Sequence, residues 1–232
     1  MSDNNNKLSD LQQLIGDVHN HHLNYCTREI YLHGHYCDEG EPGVEYRMAT
    51  TFIKNLHILD AEGKKNILVH LHSIGGEWGD GMAMYNAICQ SPSPVTLLGY
   101  AQASSMSGIL LQAGDKRILM PDCDFMVHYG SITASGNALE AKSAIEWNDR
   151  VCKRMLQIFA ERAILGKFFQ DKEYSLSKVK SYLDRKLKDK SDWYLSAEAA
   201  VYYGFADGII GDKGCENYDK IRCGRKFKPS ND

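Results

Sequence analysis

The sequence predicts an α/β domain in which mostly parallel strands alternate with helices. Short apolar and β-branched runs recur along the chain, and longer segments with apolar residues at i, i+3, i+4 and i+7 lie between them. Stretches rich in glycine and proline separate the two kinds of segment. A repeated order of strand and helix is typical of a parallel sheet, because the crossover between parallel strands leaves room for a helix.

The composition excludes several classes of protein. Of the 232 residues, 43% are hydrophobic and 25% are charged, as in ordinary globular chains. No apolar run approaches the roughly 18–20 residues of a membrane span, and the polar N-terminus lacks the apolar core of a secretion signal. The net charge of −3 gives no electrostatic case for nucleic acid. Seven cysteines without a Cys-x-x-Cys pair predict free thiols, so we expect a cytoplasmic protein that binds neither membrane nor nucleic acid.

The first half of the chain contains the start of the strand and helix alternation. A weakly amphipathic helix is predicted at 8–23, and a loop rich in Asp, Glu, Gly and Pro is expected at 37–43. The predicted strands are 29–33, 66–72 and 95–98. The predicted helices are 46–59 and 79–90, and two prolines stop the second of them.

The second half continues this pattern and adds a long helix. A short helix is predicted at 108–113, and further strands at 116–120, 124–128 and 206–210. The longest predicted helix covers 137–165, and its apolar face consists of Ala141, Ile145, Cys152, Met155, Phe159 and Ala163. A lysine-rich amphipathic helix follows at about 174–190, and Ser196 caps a helix that ends at Gly204. The polar residues 211–232 are predicted to be a mobile tail.

Two adjacent serines, Ser104 and Ser105, lie where a predicted strand passes into a predicted helix. A serine at such a junction is commonly a helix N-cap, but the unpaired backbone N–H groups beside it also stabilise an oxyanion. Later in the chain an apolar run ends in His128, and Asp192 precedes a predicted helix start. The order Ser, His, Asp is one of several chain orders of a catalytic triad, so the three residues together favour nucleophilic catalysis.

These segments together resemble the ClpP serine peptidases, the proteolytic subunits of Clp proteases. The matching segments are 73–76, 101–106, 125–128 and Asp192 with 195–197. In the family they are the turn that supplies an oxyanion-hole amide, the nucleophile motif, the strand that carries the catalytic histidine and the site of the aspartate. The resemblance runs from about Arg28 to Asp212 and implies a triad of Ser105, His128 and Asp192.

The resemblance also implies the remaining site residues. The backbone N–H groups of Gly76 and Met106 are expected to form the oxyanion hole. Substrate is expected to contact four further residues, namely Ile74, Gly75, Tyr129 and Gly130. Two of these segments depart from the family pattern, which has proline in place of Ile74 and often Gln-Pro after the histidine. No cofactor and no metal are expected.

The family fold is a superhelix of strand and helix units, shared with the crotonases, from which a long helix projects as a handle. In this chain the peptidase domain is expected to span 28–212, with the handle at about 129–165 and an inserted helix at about 174–190. A polar segment and first helix (1–27) would precede the domain, and the tail (213–232) would follow it. An ordinary long core helix is the alternative to a handle.

Three functions are compatible with this resemblance. In the first, seven-membered rings stack in pairs as a double heptamer, and an AAA+ unfoldase delivers unfolded polypeptides to a serine endopeptidase whose own reaction uses no ATP. The second is a viral capsid or prohead maturation protease that works without an unfoldase. The third is a non-proteolytic subunit or a crotonase-type acyl-CoA enzyme, and the Ser-His-Asp set argues against it.

Overall fold

A computed structural model describes residues 2–33 and 43–227 of the chain. The eight strands in these ranges are β1 (Leu23–Asn24), β2 (Glu29–Leu32), β3 (Ile67–Ser73), β4 (Val95–Ser104), β5 (Lys116–Leu119), β6 (Asp124–Val127), β7 (Trp193–Leu195) and β8 (Gly208–Ile209). The nine helices in the same ranges are α1 (Ser2–His21), α2 (Tyr46–Glu62), α3 (Trp78–Gln90), α4 (Met106–Leu111), α5 (Ala138–Ala163), α6 (Lys167–Gln170), α7 (Leu176–Lys190), α8 (Ala197–Tyr202) and α9 (Tyr218–Ile221). The loop predicted at 37–43 lies, except for Gly43, outside the described residues.

One sheet holds all of these strands. Its order is β1-β2-β3-β4-β5-β8, while β6 pairs with β4 and β7 pairs with β6. The pairs β2 with β3, β3 with β4, β4 with β5, β4 with β6 and β5 with β8 are parallel. Only the short strands β1 and β7 pair in antiparallel fashion among the described residues. The predicted α/β class with mostly parallel strands is therefore confirmed.

Strand β4 is longer than the sequence pattern predicted. The apolar run ends at Leu98, but the strand continues to Ser104 through a stretch of small residues. Its first half pairs with β5 and its second half, from Gln102, pairs with β6. Because β6 supplies the hydrogen-bond partners, small residues that favour a turn by composition remain extended. The end of β4 therefore carries Ser104 and Ser105 directly beside β6.

The two faces of the sheet are covered differently. On one face, apolar side chains of β3, β4 and β5 pack against the helices in the main core. On the other face, Leu68, Leu98 and Ile118 pack against Cys215 and Ile221 of the C-terminal segment. The described part of the predicted tail also contacts β4, since Thr96 Oγ1 donates a 3.1 Å hydrogen bond to the Ile221 carbonyl. Residues 228–232 lie outside the described range.

The long helix α5 is buried in the core near its C-terminus and carries exposed apolar side chains near its N-terminus. Its N-terminus is closed by a capping box between Asn137 and Glu140. Of the predicted apolar face, Met155, Phe159 and Ala163 near the C-terminus are buried in the core of the same chain, as in an ordinary core helix. Nearer the N-terminus the side chains of Leu139, Ile145 and Trp147 are exposed. The first half of α5 therefore presents an apolar surface, as a handle would.

The segment 167–190 contains the predicted lysine-rich helix, α7, and the short helix α6, which the pattern did not indicate. Ser175 caps α7, and Val179, Leu183 and Leu187 are buried on one face of it. An aromatic cluster joins the segment to α8 and β7, and its members are Phe168, Phe169, Tyr174, Tyr182, Trp193, Tyr202 and Tyr203. This segment is therefore a packed part of the domain, and its being an insertion stays a prediction.

At the other end of the chain, α1 begins earlier than predicted, so the polar segment 2–7 is helical. None of the helices described by the structure combines the length and the apolar character needed to cross a membrane. The six cysteines in the described ranges are all free thiols, as the cysteine count predicted.

A buried ion pair joins β5 to the loop before β8. Arg117 is 1% exposed, and its Nε donates a 3.0 Å hydrogen bond to Asp207 Oδ2. Arg162 of α5 lies 4.0 Å from the same carboxylate. Burial alone would raise the pKa of Asp207, but the charge and hydrogen bonds of Arg117 outweigh it and hold that pKa below its ordinary value. The carboxylate therefore stays ionised between two buried guanidinium groups.

Replacing Asp207 by Asn is expected to lower the free energy of unfolding by about 2–3 kcal/mol, because two buried cations lose their counter-charge while the carboxylate itself is partly exposed. Urea unfolding at one protein concentration measures the change. Glu146→Gln breaks the exposed Lys142–Glu146 pair on α5 and is the matched control, with an expected change below about 0.5 kcal/mol. Equal effects of the two variants would contradict a stabilising role for the buried pair.

Candidate active site

Strand β6 brings together three segments that are far apart in the sequence. On one side it pairs in parallel with the end of β4, with Ser104 opposite Met126, and the Ser105 N–H donates a 2.9 Å hydrogen bond to the Met126 carbonyl. On the other side it pairs in antiparallel fashion with β7, with Val127 opposite Trp193. Continued by one residue, this register sets His128 opposite Asp192. The residue before β7 and the residues at the ends of β4 and β6 therefore meet at one edge of the sheet.

The side chains of Ser105, His128 and Asp192 form a continuous hydrogen-bonded chain. His128 Nε2 lies 2.7 Å from Ser105 Oγ, and His128 Nδ1 lies 3.0 Å from Asp192 Oδ1. The imidazole is half-buried, whereas the Asp192 side chain is 50% exposed. Asp192 precedes α8, which begins after its predicted N-cap Ser196, and the short strand β7, which the sequence pattern did not indicate, lies between them. That short strand is the element that holds the carboxylate beside the imidazole.

Of the two adjacent serines, only Ser105 is directed at the imidazole. It has φ 55° and ψ −124°, a conformation that is unfavourable for a residue with a Cβ. The chain turns sharply there from β4 into α4, as a serine nucleophile at a strand-to-helix turn does. Ser104 is buried within the pairing of β4 and β6. The helix N-cap interpretation receives no support, because the Ser105 side chain makes no cap hydrogen bond to α4.

The turn Gly75–Gly76 after β3 packs directly against this serine. Gly75 has φ 101°, and a Cβ added to it would lie 2.7 Å from the Ser105 Cβ and 2.9 Å from the Met106 nitrogen. Gly76 has φ 149°, and a Cβ there would meet the Val44 backbone at 2.3 Å. Each glycine is therefore required by close contact with another backbone segment.

Two backbone N–H groups beside Ser105 donate to no other backbone group among the described residues. Met106 is the first residue of α4, so its amide has no partner within the helix. In the part of the chain that the structure describes, the Gly76 amide also donates no hydrogen bond to another backbone group. The neighbouring groups hold the turn in place, since Gly75 O accepts from Val44 N and Val44 O accepts from Glu77 N. The two free amides are the ones predicted for an oxyanion hole.

A cleft of about 430 Å³ opens next to Ser105 and His128. Gly76, Met106, Tyr129 and Gly130 line it, whereas Ile74 is exposed outside its wall and Gly75 is buried below Ser105. The substrate-binding role of all four predicted residues stays a prediction. Residues 129–133 form one wall, and they belong to a segment without regular secondary structure that runs to residue 137.

Sequence reasoning missed most of the apolar wall of the cleft. One wall is a stripe on α5 with a spacing of four residues, made up of Trp147, Val151, Met155 and Phe159. Trp78 at the start of α3 also lines the cleft. The i, i+4 spacing of the stripe was a usable signal, but the pattern could not show that it faces a cleft near Ser105.

The residue after His128 is held by α7. Tyr129 donates its hydroxyl hydrogen to Asp184 Oδ1, and Lys188 Nζ lies 2.8 Å from Asp184 Oδ2. The hydrogen bond from Lys188, and next that from Tyr129, hold the pKa of Asp184 below its ordinary value. Burial, and then the hydrogen bond to Asp184, raise the pKa of Tyr129. Asp184, another acid close in sequence to Asp192, is therefore occupied by Tyr129 rather than by His128.

A second group of titratable side chains lies outside the cleft. His70 of β3 stacks on Tyr31, with ring centroids 4.6 Å apart, and its Nδ1 lies 2.8 Å from the Tyr100 hydroxyl. Its Nε2 lies 3.5 Å from Glu29. Across the described ranges, no three or more His, Cys, Asp or Glu side chains are grouped so as to hold a metal ion.

Comparison of the sequence with known proteins identifies the family of this chain. The model of the Clp protease family matches residues 40–213. An ATP-dependent Clp protease proteolytic subunit of Deinococcus radiodurans is 28% identical over 182 residues, which cover 75% of this chain and 79% of that protein. The protein of the same name from Carsonella ruddii is 29% identical over 188 residues, which cover 80% of this chain and 85% of that protein. The match spans the strands and turns that carry Ser105, His128 and Asp192, and the chain therefore belongs to the Clp protease family.

Proposed function

We propose that this chain is a serine endopeptidase that hydrolyses peptide bonds with Ser105, His128 and Asp192. The observation that carries the proposal is the hydrogen-bonded chain from Ser105 Oγ through His128 to Asp192, with contacts of 2.7 and 3.0 Å. The strained backbone at Ser105 supports it, because such strain is often retained at a functional position. Membership of the Clp protease family supports a peptidase as the class of enzyme.

In the proposed mechanism, His128 acts first as a base and then as an acid. A serine hydroxyl is a weak nucleophile at neutral pH, so His128 Nε2 accepts its proton as Ser105 Oγ attacks the peptide carbonyl carbon. Asp192 holds the imidazole in the tautomer with a hydrogen on Nδ1 and stabilises the imidazolium that forms. His128 then protonates the leaving amine, and a water molecule hydrolyses the acyl-enzyme by the same route. No step consumes ATP or needs a metal or cofactor.

The backbone amides of Gly76 and Met106 are proposed to stabilise the negative charge that develops on the carbonyl oxygen. Their closeness follows from the packing of Gly75 against Ser105 and Met106. Amides fixed in this way stabilise the transition state without reorganisation, and one such donor is worth roughly 3–4 kcal/mol in acyl-transfer enzymes. A side chain at position 75 would separate the two amides, because it would meet the backbone of Ser104–Met106.

The substrate is proposed to be an extended polypeptide segment in the cleft. Tyr129 and Gly130 would contact its main chain, and the stripe on α5 would receive an apolar side chain. At the edge of the cleft, the exposed side chain of Ile74 would contact the substrate. Gly75 would contribute by holding the turn against Ser105. Unfolded polypeptides suit this cleft, because a folded surface does not present an extended main chain to a recessed serine.

The active form is proposed to be a ring-shaped homo-oligomer, with a double heptamer as the expected arrangement. The exposed apolar side chains Leu139, Ile145 and Trp147 on the first half of α5 support this, because such a surface is costly in water unless a partner covers it. An AAA+ unfoldase is the proposed partner, since the similar proteins are named ATP-dependent. In this form the serines would face an enclosed chamber.

Ser105→Ala is expected to abolish labelling by a fluorophosphonate probe and to remove peptidase activity, because the acylated oxygen is lost. Ser104→Ala is the matched control and is expected to keep most of both, since Ser104 is buried in the strand pairing. Gel fluorescence and hydrolysis of a fluorogenic peptide measure the two outcomes. Labelling that persists in Ser105→Ala and disappears in Ser104→Ala would contradict the assignment.

Asp192→Asn is expected to lower kcat by about 10⁴-fold, because an amide favours the wrong imidazole tautomer and cannot balance the imidazolium charge. Steady-state hydrolysis of the same peptide gives kcat. Asp189→Asn removes one charge from the nearby exposed end of α7 and is expected to leave kcat unchanged. If the two variants are equally active, another group must orient His128.

Replacing Leu139 and Ile145 together by Asp is expected to split the assembly into smaller species and to reduce peptidase activity, while the thermal unfolding of the subunit changes little. Analytical ultracentrifugation at working concentration measures the size. The double variant Leu139→Met, Ile145→Val keeps the surface apolar and is expected to stay assembled. An unmodified chain that is active as a monomer would refute the ring.

A further inference from the structure

The inserted helix α7 touches the chain next to two of the three triad residues. Asp184 accepts a hydrogen bond from Tyr129, which directly follows His128. Two residues further along α7, Lys186 Nζ lies 6.0 Å from the ring centroid of Trp193, which directly follows Asp192. One helix is therefore in contact with both segments that must be aligned for the hydrogen bond between His128 and Asp192.

The backbone at His128 lacks the restraint that a regular strand provides. β6 ends at Val127, and the segment 129–137 has no regular structure. Gly130 has φ 77°, so the chain turns away two residues after His128. Strand pairing holds His128 from the N-terminal side only. The side chain of Tyr129 supplies a restraint on the C-terminal side, because its ring packs against the main core and its hydroxyl is bound to Asp184.

The charges around this contact favour a strong hydrogen bond. Lys188 pairs with one oxygen of Asp184 at 2.8 Å while Tyr129 binds the other. Because the pKa of Asp184 is lowered and that of Tyr129 is raised, the carboxylate is ionised and the phenol is neutral at neutral pH. A neutral donor and an ionised acceptor form a charge-assisted hydrogen bond, which is shorter and stronger than a bond between neutral groups.

We propose that Asp184 is a positioning residue that acts through Tyr129 to hold His128 between Ser105 and Asp192. In this role α7 acts as a brace, and the insertion contributes to catalysis without touching the substrate. The inference rests on the proposed serine-peptidase function and adds to it a residue on the inserted helix. In this proposal the Tyr129 hydroxyl helps to align His128. The other atoms of Tyr129 contact the substrate.

The test measures kcat and KM separately in the full-length oligomer with a fluorogenic peptide. Tyr129→Phe and Asp184→Ala are each expected to lower kcat by about tenfold, since small misplacements of a catalytic group are costly, and to change KM by less than about twofold. The double variant is expected to be no slower than either single variant, because both remove one interaction. Asp189→Ala, on the same helix and without contact to Tyr129, is the matched control and is expected to keep kcat.

Asp184→Asn separates positioning from folding. Its amide oxygen still accepts from Tyr129, so it is expected to retain most of the kcat that Asp184→Ala loses. Thermal unfolding of each variant shows whether the domain is intact, and if Asp184→Ala is unfolded, Asp184→Asn and Tyr129→Phe still give the comparison. Unchanged kcat in Tyr129→Phe, a raised KM with full kcat, or additive losses in the double variant would each overturn the positioning role.

Fluorophosphonate labelling distinguishes failure of this inference from failure of the proposed function. The unmodified protein is expected to be labelled at Ser105, and Asp184→Ala is expected to be labelled about tenfold more slowly. Equal labelling rates in the two proteins would overturn the positioning role alone. An unmodified protein that takes no label would overturn the serine-peptidase proposal and the positioning role with it.

Discussion

The pairing of β6 with β4 on one side and with β7 on the other is the constraint on which the candidate site depends. Hydrogen bonds between strands set the register to a single residue, so a slip by one would turn His128 to the opposite face of the sheet. The 2.9 Å bond from the Ser105 amide to the Met126 carbonyl belongs to the same pairing. Three side chains from distant parts of the sequence are thereby held within hydrogen-bond distance, with no disulfide among the described cysteines.

This arrangement needs support on every side, and the fold supplies it with different interactions. The turn Gly75–Gly76 presses on Ser105 from β3, and the space between them admits no side chain. The C-terminal half of α5 buries Met155 and Phe159 below the cleft. The ion pair of Arg117 and Asp207 ties β5 to the segment before β8. Loss of any of these contacts would act on the site by changing the packing around it, and the catalytic side chains themselves would stay the same.

The segment with α6 and α7 packs against the chain on both sides of the candidate site. α6 and α7 are anchored by an aromatic cluster and by the buried side chains Val179, Leu183 and Leu187. Because α7 lies against both Tyr129 and β7, its packing restrains the residues next to His128 and Asp192. The first half of α5 contrasts with this, since Leu139 and Ile145 are exposed in the described part of the chain.

The sequence alone determined the order of the longer helices and strands and the candidate residues. Periods of two and of 3.6 residues, together with turn residues, are local signals, and they correctly predicted the parallel α/β class, the long helix and α7. Resemblance in four short motifs pointed to Ser105, His128 and Asp192, which the structure brings within hydrogen-bond distance. Only the tertiary structure decided which residues become neighbours: β7 has three residues, too few for a period, and its role comes from pairing with β6. The extension of β4, the burial of Arg117 beside Asp207, the packing of the tail on the sheet and the bond from Tyr129 to Asp184 likewise join residues that no local pattern connects.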